Sequence, residues 1–240
     1  MCPFTAVFAM FIDFFSLELS SRFDTLSKTH RVLESQLQNA KHIAHSLLPT
    51  MPTIPATADE GEVAEAFAEH EAGIWWHKRQ FEIELPRFIR NSFLLRLYSL
   101  FEWAANGMAN QISERKNLNH RLNLKAPLTD RIVTFLKNPG VMAVQFDVAG
   151  AIEAVDDLRV VRNCLVHCAG DPSRIDKQRD RQLLESILYR GVGVSRLGKS
   201  PLIDDDESGL LWVDESYCFH AHTGVYTFFK NAMIAASCFS

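Results

Sequence analysis

Arg162, Asn163 and His167 are the residues whose types and spacing suit chemistry. They stand in the run Asp156-Asp157-Leu158-Arg159-Val160-Val161-Arg162-Asn163-Cys164-Leu165-Val166-His167. Read as a helix at about 100° per residue, Asn163 and His167 face the same way, four residues apart. Asp156 and Arg159 extend this polar stripe upstream. Arg162 falls inside the apolar arc of Val155, Leu158, Leu165 and Val166, and a buried cation requires a carboxylate or a phosphate. Its long side chain can curl toward the stripe. A cation, an amide and an imidazole then converge near a helix end. Imidazole moves protons near neutral pH. Guanidinium holds a phosphate through forked hydrogen bonds and stabilises charge that develops in transfer. The amide orients either group. This set suits metal-free cleavage of RNA, with the imidazole acting on a ribose 2′-hydroxyl or a leaving oxygen. A core helix with polar edge residues accounts for the same geometry.

Arg162-Asn163, three further residues and then His167 resemble the Arg-x4–6-His signature of the HEPN superfamily, with Asn directly after Arg. An aliphatic run before the signature and Gly170 after it agree. The segment Leu94-Leu95-Arg96-Leu97-Tyr98-Ser99-Leu100-Phe101-Glu102 resembles the helix that packs beside the motif in such domains. The resemblance rests on residues 90–113 and 152–171. It implies a helical bundle that forms a homodimer, with two motif helices sharing one cleft. It implies a metal-independent endoribonuclease with Arg162, Asn163 and His167 as its catalytic residues. Such enzymes serve in toxin–antitoxin, phage-defence and RNA-processing systems, so a cognate antitoxin protein becomes a candidate partner. The resemblance also admits a non-catalytic module that binds RNA, a nucleotide or a protein. It calls for no cofactor and no metal.

Other residues enter as supports. Glu102 lies opposite the apolar face of its own helix, with Tyr98 and Asn106, where it can pair with Arg162 and orient it. The solvated polar face of a bundle helix gives the same pattern. Arg159, Arg174 and Lys177, with Arg179 and Arg181, surround the motif as a candidate RNA-binding patch. Asp171, Asp176, Asp180 and Glu185 alternate with them, as on an ordinary solvated helix. If extended, Cys218-Phe219-His220-Ala221-His222 would place Cys218, His220 and His222 on one face. No paired CxxC or HxxxH pattern accompanies them, so no metal site is expected.

The elements that must position the motif read as helices. A long or kinked helix runs from about Thr5 to Leu48, with Leu26, Leu33 and Leu37 at helical spacing. Pro49, Pro52 and Pro55 stop it. Asp59, Glu60 and Glu62 open a second helix, where negative charge suits the N-terminal dipole; Pro86 is expected to interrupt it. A third helix from about Arg87 to Ser113 carries the core face Phe93, Leu94, Leu97, Leu100, Phe101 and Ala104. Asn117 to Asn123 is polar and reads as loop. Thr129 to Leu136 is a short helix ended by Asn138-Pro139-Gly140. Ile152 to His167 is the motif helix, stopped near Gly170-Asp171-Pro172, and Arg174 to Tyr189 follows. Residues 191–213 read as a β-hairpin around the acidic turn Asp204-Asp205-Asp206-Glu207-Ser208-Gly209. Helix returns from about His222 to Ser237. The expected fold is all-α: a HEPN-like helical bundle over residues 1–240, with a helical N-terminal extension of residues 1–48 and a small β-hairpin.

Composition sets limits on this reading. The chain has 240 residues, a formal net charge of −4 and a sequence pI near 6.1. A weakly acidic protein is no bulk nucleic-acid coat, so any RNA contact must be local. Cys2, Cys164, Cys168, Cys218 and Cys238 form no regular framework. They fit free thiols in a reducing compartment, the cytoplasm by default. The apolar run Met1–Phe15 lacks a basic flank, is broken by Asp13, and is shorter than the roughly 20 residues of a spanning helix; it reads as a buried helix, with no membrane contact.

Overall fold

The computed structural model describes residues 3–46, 48–115, 128–137, 141 and 149–237. The expected loop at Asn117–Asn123, the stop at Asn138-Pro139-Gly140, the side chains of the Met1–Phe15 run, and Cys2 and Cys238 lie outside the described residues. The fold is all-α with one small two-stranded sheet.

Helix α1 (Pro3–Ser46) lies along α3 and α7. Its buried face is Leu19, Phe23, His30, Glu34, Leu37 and Ala44. Of the leucines expected in the core, Leu37 is buried, Leu26 only partly, and Leu33 is 44% exposed. The buried face is thus rotated away from Leu33, because Phe23 and the Glu34 ion pair take the inner positions. Glu34 holds Arg90 of α3 through Nε at 2.8 Å and Nη2 at 3.2 Å. Paired in two places, this ion pair tolerates burial where a lone charge would not.

Helix α2 (Glu60–Arg79) starts at a capping box. The Asp59 carboxylate accepts from the Glu62 N–H at 2.9 Å, and the Glu62 carboxylate accepts from the Asp59 N–H at 3.1 Å. Pro86 does not interrupt the chain as expected. A π-helical turn at Gln80–Glu84 leads directly into α3 (Leu85–Arg115), and the Leu85 N–H reaches back to the Gln80 carbonyl. The wider π turn makes room for the proline ring, and Pro86 has no N–H to leave unpaired.

Helices α4 (Leu128–Leu136) and α5 (Ala149–His167) follow, and α3 packs against both. The helix expected from Arg174 starts later. Asp171 caps a 3-10 turn at Pro172–Arg174, the backbone stays extended at Ile175 and Lys177, and α6 spans Gln178–Arg190. Strands β1 (Val194–Arg196) and β2 (Leu211–Val213) pair antiparallel, with Val194 opposite Val213 and Arg196 opposite Leu211. Val194, Leu211 and Val213 turn inward.

Helix α7 (Glu215–Ser237) begins upstream of the expected start near His222, because the Asp214 side chain caps it by accepting from the Tyr217 N–H at 3.1 Å. Residues 218–222 are therefore helical, not extended. Cys218 is buried while His220 is exposed, and no group of three metal-ligating side chains occurs among the described residues. Helix α7 packs closely on α5, where Gly224 faces Ala154 with no room for a side chain between them. Phe101 of α3 meets Phe228 and Phe229 of α7 at ring-centroid distances of 5.8 and 5.6 Å, and all three are buried. Each such ring contributes about 1.5–3 kcal/mol relative to exposure. Among the described residues, no helix is long and apolar enough to cross a membrane.

Candidate functional site

The C-terminal half of α5 carries two arginines in opposite circumstances. Arg159 is only 5% exposed. Its Nε donates to Asp156 at 2.7 Å and its Nη2 to Asp180 of α6 at 2.9 Å. Burial opposes its charge, but the two carboxylates outweigh burial and push its pKa above the ordinary arginine value. The expected polar stripe is thus split: its upstream part is a strut between α5 and α6. Arg159 is not placed to meet RNA.

Arg162 lies one turn further on and is half-buried. Its guanidinium carbon lies 5.3 Å from the centre of the Tyr98 ring on α3. An arginine over a tyrosine face is held by the ring's negative quadrupole. Nη1 donates to the Asn163 side-chain oxygen at 2.9 Å and lies 3.4 Å from His167 Nε2. No carboxylate pairs with Arg162 among the described residues. The structure therefore brings together Arg162, Asn163 and His167. If Nη1 donates to Nε2, that nitrogen is the unprotonated one, the form that takes a proton.

The apolar arc is shorter than the helical wheel suggests. Val155 and Leu158 are buried, Leu165 is partly buried, and Val166 is 43% exposed beside an exposed His167. Helix α5 runs out of the bundle at this end, so its last turn meets solvent. The exit is fixed by local backbone. Ala169 and Gly170 both adopt left-handed conformations, with φ of 53° and 81°. The Gly170 N–H returns to the Cys164 carbonyl at 3.0 Å, and the Gly170 carbonyl accepts from the Leu211 N–H of β2 at 2.7 Å. Sharing one strand hydrogen bond with the hairpin fixes where the motif helix ends.

Glu102 does not pair with Arg162. It lies near Tyr98, whose phenol is pushed up first by burial and then by the Glu102 charge, while Arg159 and Arg162 pull it down. Tyr98 is the residue that sequence reasoning placed wrongly. It was assigned to the polar face with Glu102, yet it is buried against α5. The available signal was an aromatic ring in the segment read as the neighbour of the motif helix. Arg174 is exposed and held by Asp171 at 3.0 Å, and Lys177 is exposed. Arg179 pairs with Asp130 at 3.3 Å and Asp156 at 3.7 Å. Acidic neighbours thus occupy much of the expected basic patch.

Two cysteines flank the site. Cys164 is buried, and its thiol is pushed up to about 12, chiefly by burial. It stays a thiol at neutral pH and packs as an apolar group. Cys168 is partly buried, and burial raises it as well. The chain matches no protein-family model, no curated protein and no solved structure.

Proposed function

We propose that this protein is a metal-independent endoribonuclease of HEPN type, acting through Arg162, Asn163 and His167 in a toxin or defence setting. One observation supports the reading above the others. Arg162 is a half-buried cation with no carboxylate partner among the described residues, set between an amide and an imidazole. One turn upstream, Arg159 is sealed by two carboxylates, so the helix treats its two arginines differently. An unneutralised guanidinium is suited to an anion supplied from outside.

In the proposed reaction His167 takes the proton of a ribose 2′-hydroxyl. The freed oxygen attacks the adjacent phosphorus, and the bond to the 5′-oxygen breaks. That oxygen leaves with a proton from a second general acid, for which the His167 of a second copy is the natural source. Products carry 2′,3′-cyclic phosphate and 5′-hydroxyl ends. Arg162 binds the non-bridging oxygens and Asn163 holds the guanidinium in place.

The neutralised patch around Arg174 and Arg179 favours a second reading: a module that uses the same residues to bind RNA, a nucleotide or a protein without cutting. Incubating the purified protein with total RNA in EDTA separates the two. The enzyme reading expects cleavage that survives chelation, with cyclic-phosphate ends. RNA that stays intact while its mobility shifts establishes the binding module instead.

A further inference from the structure

A cavity of about 710 Å³ opens between α1 and α3, away from the motif helix. Its apolar surface comes from Leu26, Leu33, Phe88, Ile89, Phe93 and Leu100. Leu33 and Phe88 are 44% and 70% exposed, so water meets apolar side chains at the mouth. The volume lies within the roughly 300–1,000 Å³ typical of small-molecule sites.

Beside the hydroxyls of Ser21, Thr25, Thr29 and Ser92, the charged side chains of the lining share one sign. Arg22 and Arg96 contribute cations, and among the described residues no Asp or Glu lines the cavity. Glu18 satisfies Arg22 at 2.8 Å, and Arg22 also stands 4.5 Å from the centre of the Trp103 ring. Arg96 is exposed and has no acidic partner among the described residues. The third group is His30. It is 7% exposed, stacks on Phe93 at 4.2 Å, and neither ring nitrogen has a hydrogen-bond partner. Its nearest carboxylate, Glu34, is 3.9 Å away and already committed to Arg90. A buried imidazole with both nitrogens unpaired has given up its hydration without compensation.

We propose that the α1–α3 cavity binds a small amphipathic anion, an acyl or aryl carboxylate. Its apolar body fills the space between Leu26, Leu33, Phe88 and Leu100. Its acid group meets Arg96 at the rim, and its body lies beside the stacked Phe93 and His30 rings. A cationic ligand of the same shape is disfavoured by Arg96. This site stands independently of RNA cleavage.

The test is calorimetric titration of the full chain with dodecanoate and with dodecylammonium, both below their micelle-forming concentrations. The proposal expects one saturable dodecanoate site, bound at least fivefold more tightly than the amine. The exposed Arg96→Gln change should leave the melting temperature unaltered and weaken dodecanoate about fivefold, the scale of a partly exposed ion pair. Leu33→Trp should narrow the mouth of the cavity and weaken binding of both. No saturable binding, equal affinity for the two probes, or an Arg96→Gln protein that binds dodecanoate like the wild type would each overturn the proposal.

Discussion

At the scale of single residues, α5 seals Arg159 between two carboxylates and leaves Arg162, the proposed phosphate clamp, against the Tyr98 ring. Arg159→Ala removes a buried cation, strips Asp180 of its partner and leaves Asp156 with only the exposed Arg179 at 3.7 Å. Breaking a buried ion pair costs about 3–5 kcal/mol, so this variant should melt well below the wild type. His167→Ala removes an exposed ring and should melt like the wild type. Its cleavage rate should fall by about 10²–10⁴, the usual contribution of general acid–base catalysis. A folded His167→Ala protein with full activity refutes the assignment. Arg162→Ala should be inactive and slightly less stable, since the guanidinium also covers Tyr98. Tyr98→Leu keeps the apolar volume but loses the ring face; RNA affinity should weaken while the fold survives. The Arg162–Asn163–His167 convergence was legible in the sequence because all three belong to one helix, whose period is fixed. The distinction between Arg159 and Arg162 was not. It depends on Asp180 and Tyr98, which belong to other helices, and one helical wheel carries no information about its neighbours.

At the scale of elements, the motif helix is held on two sides. Helix α7 lies along it with Gly224 against Ala154, and the hairpin binds its exit through the Gly170 carbonyl. Gly224→Ala places a methyl group where Ala154 already sits, so α7 must retreat. Overpacking of this kind costs about 1–3 kcal/mol, and urea titration should show the loss. A midpoint unchanged from the wild type would mean that the α5–α7 approach is looser than described. The order of elements was readable from hydrophobic period and breakers: the helix start at Asp59, the stop at the three prolines and the hairpin around residues 191–213 fall where the pattern places them. Three boundaries were not. Pro86 reads as a breaker, but a π turn accommodates it. The start of α6 depends on the Asp171 cap, and that of α7 on the Asp214 cap. Each is a local hydrogen bond that competes with the apolar period and wins.

At the scale of the whole molecule, pH and assembly are the two levers. His30 and His222 both have their pKa lowered, first by burial; His30 is also influenced by Glu34, Arg90 and His222, and His222 by Arg31 and Asp24. A histidine whose folded pKa lies below its unfolded value of 6.5 contributes stability above that value, and the contribution is lost as pH falls toward the folded pKa. The melting temperature should therefore hold steady above pH 7 and decline below 6.5, and a His30→Leu, His222→Leu double variant should flatten that decline. Assembly bears on the proposed reaction itself. Helix α5 presents Val166 and His167 to solvent at the end where Arg162 keeps unneutralised charge, and one copy supplies a single imidazole to a reaction that moves two protons. A twofold pair of motif helices supplies the second, and cyclic pairs are the commonest assemblies. We expect a particle of twice the 27.2 kDa chain mass by light scattering at micromolar concentration. Val166→Glu, placing like charges across the twofold axis, should shift it to the chain mass without lowering the melting temperature. Cleavage should fall with the dimer. A wild-type particle of single-chain mass that still cuts RNA would remove the second copy from the mechanism and require the leaving proton to come from water or another side chain.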